Sequence, residues 1–194
     1  IVLTGNTSGA ITVAAPAVAG TNTLTLPATT GNIVTTGDSS TITQGMIGSN
    51  VAGTGPSFKA IMSAVTAISN TGSTKLVLDT EEWDTNSNYD SATNYRFTPT
   101  VAGYYSLSGS MFMSTATTAR VGVAIYKNGS EHAWQFTAGV SSSGGANPQV
   151  STIVYANGST DYFELYAAQN YTSSVNTSTN SILTWFSGAL VRSA

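Results

Sequence analysis

Residues 95–113 decide the fold class, and they read Tyr-Arg-Phe-Thr-Pro-Thr-Val-Ala-Gly-Tyr-Tyr-Ser-Leu-Ser-Gly-Ser-Met-Phe-Met. From Tyr105 onward, one residue in two is apolar or glycine and the serines at 106, 108 and 110 stand between them. This alternation is typical of a strand with one face on a core and the other at a polar surface. We therefore expect a strand over 103–114 whose core face carries Tyr105, Leu107, Gly109, Met111 and Met113.

Similar short alternating stretches continue on both sides of this strand. We predict strands at 58–68, 75–79, 95–98, 103–114, 119–127, 131–137, 149–156, 161–168 and 182–191. The dipeptide Asn128-Gly129 favours a tight hairpin, and Asn157-Gly158 predicts a second hairpin between the strands that flank it. Many short strands at this spacing indicate an all-β sandwich or barrel.

The composition excludes several classes of function. Only 8% of the 194 residues are charged, with six Lys and Arg against nine Asp and Glu, so we expect no nucleic-acid partner. The chain contains no cysteine, which removes disulfides and thiolate metal sites. It also lacks an apolar run of roughly 18 residues, so we predict no membrane insertion. We predict no cofactor.

The amino-terminal third has a different texture from the rest. Up to Ser57 the only charged side chain is Asp38, and short apolar pairs such as Leu24 with Leu26 are separated by proline and glycine. Strands this short cannot bury their own apolar faces, so they are covered by copies from neighbouring chains or remain flexible. We predict that 1–56 is a β-rich extended stalk, with a flexible linker as the alternative, and that 57–194 is the head domain.

A set of residues in the head carries a family pattern: Asp84, Tyr89, Phe97, Gly103, Tyr105 and Leu107. With them the head resembles the complement globular head domain (C-one-q type), which has the tumour-necrosis-factor-like jelly roll. The resemblance covers roughly 58–192, although Gly109 stands where the family usually has an aromatic residue. It implies an all-β jelly-roll sandwich of about ten strands and a homotrimer.

The amino-terminal segment is similar to the stalks of bacteriophage tail fibres, in which Thr-rich, Pro-punctuated sequence leads into a joint such as Met46-Ile-Gly-Ser. Together the two resemblances imply a virion location. We expect a trimeric fibre tip that adheres to a host-surface glycan or protein and contacts other virion proteins through its amino-terminal side. One alternative is a purely structural trimeric cap or decoration protein. A second alternative is a surface polysaccharide depolymerase.

Aromatic residues in predicted loops are the candidate binding residues. Trp83, Tyr89 and Tyr171 fall there, where a ring can stack on a sugar or anchor a protein partner. The competing interpretation is that these rings cover the ends of the core or fill the subunit interface.

We predict neither a metal site nor a catalytic residue. Oxygen ligands at alternate positions of 84–90 resemble the start of a calcium loop, but Tyr89 stands where the helix-loop-helix motif needs glycine. Asp and Asn are also ordinary turn residues. The single histidine, His132, and the available acids form no convergent constellation in the sequence, and those acids are Glu81, Glu82, Asp84, Asp90, Asp161 and Glu164. We therefore expect a binding protein and not an enzyme.

Overall fold

The computed structural model describes residues 2–4, 10–12, 14, 17–18, 20–21, 28, 55–113, 119–138 and 144–194. The chain divides into two compact units, Ile1–Val51 and Ala52–Ala194. All regular secondary structure in the described residues is β-strand, which confirms the predicted all-β class. No helix in this part of the chain has the length and apolar character needed to cross a membrane.

The amino-terminal unit contains one described strand pair. Strand β1 (Val2–Thr4) pairs antiparallel with β2 (Ala10–Thr12), with Leu3 opposite Ile11. The predicted short strands around Leu24 and Ile33 lie outside the described residues. The assignment of 1–56 to a stalk remains a prediction.

The second unit contains the head, whose first large sheet is antiparallel throughout. Sheet 1 has the order β12 (Gln149–Asn157), β9 (Ala102–Ser110), β15 (Trp185–Ser193), β3 (Ser57–Ile61), β6 (Thr80–Asp84). The predicted strand at 103–114 is its second member. The acidic stretch at 80–84, which we assigned to a loop, instead forms the edge strand β6.

The second large sheet packs against the first. Sheet 2 has the order β11 (Ser130–Ala138), β10 (Arg120–Lys127), β13 (Phe163–Gln169), β8 (Arg96–Phe97), β7 (Tyr89–Asp90), and β5 (Ser73–Lys75) also pairs with β13. A separate small pair joins β4 (Ala67–Ile68) to β14 (Val175–Asn176). Apart from its passages through the small pair, the chain crosses between the two large sheets after β5, β6, β8, β9, β11 and β12.

The core lies between the two sheets and follows the predicted alternation. Tyr105, Leu107, Met111 and Met113 are fully buried, as are Val121, Val123 and Ile125 from the facing sheet. The predicted core face of β9 is therefore confirmed. Ser110, on the opposite face, is also buried. Its hydroxyl donates to the carbonyl of Leu183 at 2.8 Å, which satisfies the buried polar group.

Three residues of the resemblance pattern, Tyr89, Phe97 and Tyr105, pack together with Phe58 in this core. The ring of Phe58 stacks on Phe97 at 4.2 Å and on Tyr89 at 5.2 Å between centroids. The Tyr105 ring packs edge-on against Phe97, and its hydroxyl donates to the carbonyl of Val101 at 2.8 Å. Burial raises the pKa of Tyr105 to about 12. The aromatic members of the pattern thus belong to one packed cluster.

The two Asn-Gly turns behave differently. Asn128 and Gly129 both have positive φ and join β10 to β11, which confirms the first predicted hairpin. The second predicted hairpin, at Asn157-Gly158, is wrong, since β12 lies in sheet 1 and β13 in sheet 2. The Asn157 side-chain oxygen accepts the backbone N–H groups of 159, 160 and 161, so this turn is a longer connection between sheets.

Candidate functional site

Trp83 lies on the face of sheet 1 that points away from the core. It belongs to the edge strand β6, and its side chain is 46% exposed. Lys59, opposite it on β3, forms an ion pair with Glu82 at 2.7 Å, and its ammonium lies 5.9 Å from the Trp83 ring centroid. The ring is therefore accessible and has one cationic neighbour.

Tyr89 is a core residue in this structure. It begins the short strand β7, is 5% exposed, and donates its hydroxyl to the carbonyl of Leu78 at 3.1 Å. Burial and the neighbouring carboxylates, Glu81 first among them, raise its pKa. Its position matches the competing interpretation of a ring that covers the core, and its ring faces Phe58 rather than solvent.

Tyr171 lies in the loop that follows β13. Its backbone N–H donates to the side-chain oxygen of Gln169 at 2.6 Å, and the Gln169 amide donates to the carbonyls of Ile68 and Ser173. The buried Gln169 therefore fixes the loop at 170–173. Trp83, Tyr89 and Tyr171 do not converge on one site, because they lie on sheet 1, in the core and beside sheet 2.

An exposed apolar surface covers part of the outer face of sheet 1. We call it the apolar strip, and it consists of Tyr104, Ile153, Tyr155 and Val191, which are 46%, 65%, 43% and 59% exposed. The rings of Tyr104 and Tyr155 contact each other edge to face across β9 and β12, with centroids 5.6 Å apart. Trp83 points from the same face. Contiguous exposed apolar residues mark surfaces that bind a partner.

The outer face of sheet 2 carries a stack of three planar groups. Trp134 and Phe136 on β11 are nearly parallel, with centroids 4.8 Å apart and an angle of 7°. The guanidinium carbon of Arg120 lies 3.6 Å from the Phe136 centroid. We call these three residues the aromatic wall. Gly122 is opposite Phe136 on β10, and a Cβ there would overlap the phenyl ring.

A cleft of about 410 Å³ runs beside the aromatic wall. Its floor contains Ala168, and the loop before β5 forms its far side. The lining consists of Gly72, Ser73, Arg120, Glu131, Trp134, Phe136, Ala168 and Gln169. Sequence reasoning missed this cleft, although the outward positions of the predicted strand 131–137 hold Trp134 and Phe136. That alternation was the available signal.

The carboxylates of the acidic loop accept hydrogen bonds from backbone N–H groups of their own turns. Asp84 accepts the backbone N–H of Tyr89 at 2.7 Å and that of Asn86 at 3.2 Å. Asp90 accepts the backbone N–H groups of 92, 93 and 94, and the bond from Thr93 is the largest cause of its lowered pKa. Among the described residues, no group of three or more His, Cys, Asp or Glu is placed to hold a metal ion.

The remaining acids bond to basic, hydroxyl, amide or backbone groups and not to one another. Glu164 pairs with Lys75 at 2.7 Å, Asp161 pairs with Lys127 at 2.9 Å, and Glu81 accepts the hydroxyl of Ser91. His132 is an exposed residue of β11. The described residues bring none of these acids together across a cleft as a glycosidase pair would require.

Several solved proteins have a similar fold. No protein-family model matches the chain, and no curated protein matches it. Murine APRIL, solved at pH 5.0, is similar with a TM-score of 0.56 at 9% identity, over 70% of this chain and 98% of that one. The Eiger TNF from S. frugiperda gives 0.53 at 6% identity, over 72% and 92%. The PRD1 vertex protein P5 gives 0.51 at 13% identity, over 71% and 74%.

The head is a TNF-like jelly roll. This confirms the predicted jelly-roll sandwich, and at these identities the likeness concerns the fold alone. None of the three names denotes an enzyme. Within the jelly roll, the apolar strip lies on the outer face of sheet 1 and the cleft lies on the outer face of sheet 2.

Proposed function

We propose that this chain is the tip of a trimeric virion fibre that adheres to a host cell surface. The resemblance of the amino-terminal segment to phage fibre stalks supports a virion location. The likeness of the jelly roll to the vertex protein P5 of phage PRD1 is compatible with it. The kinship with complement-type heads belongs to the same proposal, and the aromatic cluster of Phe58, Tyr89, Phe97 and Tyr105 supports it.

The apolar strip is the observation that carries the trimer. Ile153 is 65% exposed and Val191 is 59% exposed, although each lies on a strand of a well-packed sheet. A second and third copy of the chain would remove these side chains from water, and each square ångström of apolar surface removed contributes about 25 cal/mol. Closed cyclic symmetry covers the same surface on every copy.

Trp83 is assigned to this interface in the proposal. It shares the outer face of sheet 1 with the apolar strip, and large aromatic residues contribute heavily to interface energy. Tyr171 is assigned instead to the ligand side, because its loop is anchored by Gln169, which lines the cleft of sheet 2. Tyr89 takes a core role.

The trimer gives the fibre tip three identical binding sites. When several sites engage one surface, the later contacts form at high effective concentration, so a weak single-site affinity becomes firm attachment. Such a head needs no catalytic group. A structural cap would use the same trimer interface but would need no ligand site.

The test has two parts. Light scattering coupled to size exclusion should give three times the chain mass for the purified protein. The same preparation, added in excess, should reduce adsorption of the virus to cells of its host strain. A monomer contradicts the proposed trimer. A trimer that leaves adsorption unchanged contradicts the adhesive role and favours the structural cap.

A further inference from the structure

We infer that the cleft on the outer face of sheet 2 binds a saccharide unit. This inference rests on the proposed adhesive function and names its ligand class and site. The observations that carry it are the aromatic wall, a guanidinium at its end that forms no ion pair with the described residues, a carboxylate in the same cleft, and the location of the cleft away from the apolar strip.

The aromatic wall offers a surface for the apolar face of a sugar ring. Trp134 and Phe136 are each half-buried, and they are held parallel by contact with each other and with Arg120. Aromatic rings contribute a large apolar area, and the face of Trp134 that is turned away from Phe136 can accept C–H groups. Because the stack exists before any ligand arrives, little side-chain freedom is lost when a ligand binds.

Arg120 supplies hydrogen-bond donors at one end of the wall. Its guanidinium lies flat on Phe136, and it forms no ion pair with the residues that the structure describes. A stacked guanidinium keeps its N–H donors in the plane, where they remain available to oxygen acceptors. The backbone of Arg120 is bound to Asn170 in both directions, which fixes the position of the residue.

Glu131 supplies an acceptor in the same cleft. One of its carboxylate oxygens accepts the hydroxyl of Tyr126 at 3.1 Å, and the residue is exposed. Sugar hydroxyls both donate and accept hydrogen bonds, so different hydroxyls of one ring can bond to a guanidinium and to a carboxylate. A purely apolar ligand would desolvate the guanidinium without giving it a hydrogen-bond partner, at a cost in binding free energy.

The size and floor of the cleft fit a small polar ring. Its volume of about 410 Å³ falls at the lower end of the range for small-molecule sites. The space above the floor is open because Ala168, opposite Gly122 on the neighbouring strand, has only a methyl group. A larger residue at 168 would fill the space beside the wall.

The cleft and the apolar strip occupy different sheets. The strip lies on the outer face of sheet 1, and the cleft lies on the outer face of sheet 2. An assembly in which the three strips face the symmetry axis therefore turns the opposite face, with the cleft, outward on every copy. This arrangement provides the three ligand sites that the adhesive function requires.

The experiment uses the full chain and a defined panel of probes, namely the methyl glycosides of glucose, galactose, mannose, N-acetylglucosamine and N-acetylgalactosamine. Saturation-transfer NMR should detect binding of at least one of them, and a titration should then give its dissociation constant. The variants Trp134→Ala and Arg120→Gln should each weaken that binding by about tenfold or more. Ala168→Leu keeps the wall and fills the cleft, so it should weaken binding to a similar extent. It serves as the second variant if Trp134→Ala fails to fold.

The head offers a matched control. Arg96 also lies over an aromatic ring, that of Tyr162, at 4.3 Å, and neither residue lines the cleft. Arg96→Gln and Tyr162→Ala should therefore leave the dissociation constant within about twofold of wild type. Binding of no probe overturns the inference, as does binding that Arg120→Gln and Ala168→Leu both leave unchanged.

The outcomes separate this inference from the proposed function. If the protein blocks adsorption but binds none of the sugars, the adhesive role stands and the saccharide cleft is wrong. If sugar binding depends on the cleft variants but adsorption is unaffected, the cleft stands and the adhesive role is wrong.

Discussion

At the scale of single residues, Tyr89 separates a core role from a binding role. Tyr89→Phe keeps the ring contact with Phe58 and removes the hydrogen bond to Leu78. We expect it to lower the free energy of unfolding by about 1 kcal/mol, because the buried carbonyl loses its partner, whereas Tyr89→Ala should cost about 3 to 5 kcal/mol. Urea denaturation measures both.

The matched variant is Tyr162→Phe, because the Tyr162 ring is half-exposed and lies beneath Arg96. Its free energy of unfolding should stay within about 0.5 kcal/mol of the wild-type value. The Tyr89→Phe protein should block host adsorption to the same extent as the wild-type protein. A Tyr89→Phe protein of unchanged stability that no longer blocks adsorption would show that the hydroxyl contacts a ligand and not the core.

The candidate binding residues were only partly readable from the sequence. Trp83 and Tyr171 are accessible or half-buried, but the two-residue strand β7, which begins at Tyr89, is too short to produce a periodic signal. The cleft was missed for a different reason. Arg120 lies at the end of β10 that is far from the hairpin turn, whereas Glu131 lies beside that turn on β11. The cleft exists only because residues 72–73, from a distant part of the sequence, lie next to this hairpin.

At the scale of elements, Asp161 joins two turns. Its carboxylate accepts the side-chain amide of Asn128 at 2.8 Å, the ammonium of Lys127 at 2.9 Å and the backbone N–H of Asn157 at 3.0 Å. These bonds, that of Asn128 first, lower the pKa of Asp161 from the usual 3.8. The ionised form is thus favoured in the folded state.

This stabilisation is present above the ordinary aspartate pKa and is lost as the pH falls through the lowered folded value. We expect Asp161→Asn to be less stable than wild type at pH 7 and to lose less stability on acidification below about pH 4. Urea unfolding at several pH values measures the difference. An acid profile for Asp161→Asn that superimposes on that of wild type would count against this role for the carboxylate.

Strand existence was predictable wherever five or more residues alternate, as in β9, β10 and β12. The pairing of strands was less predictable, because the local turn at Asn157-Gly158 does not indicate which sheet the next strand joins. Gly109 illustrates the same limit. A Cβ there would overlap the side chain of Leu165 from the facing sheet, so the glycine at this position reflects a contact that no local pattern contains.

At the scale of the whole molecule, the two outer faces of the jelly roll differ in chemistry. The face of sheet 1 carries the apolar strip with serines on neighbouring positions, while the face of sheet 2 carries stacked aromatic rings, arginines that lie over rings, and an exposed glutamate. An exposed apolar surface gains most from a dry interface, whereas a mixed aromatic and charged surface suits a hydrated polar ligand. The division of roles between the faces follows from this contrast.

The assembly prediction is tested at the apolar strip. Ile153→Asp and Tyr155→Asp replace side chains that are 65% and 43% exposed in one chain, so the jelly roll should still fold. In a trimer Ile153→Asp would bury a carboxylate without a partner, at a cost of several kcal/mol per site, and Tyr155→Asp would remove a large apolar ring from the interface. Since about 1.4 kcal/mol changes an association constant tenfold, light scattering should show a monomer.

Val65→Asp provides the matched control. Val65 is 52% exposed in the loop between β3 and β4, outside the apolar strip, so this variant should keep the wild-type mass. The Ile153→Asp monomer should bind a methyl glycoside with the wild-type dissociation constant, because its cleft is intact. It should block host adsorption far less well, because a single site lacks the avidity of three. A trimeric Ile153→Asp protein would exclude the outer face of sheet 1 as the interface.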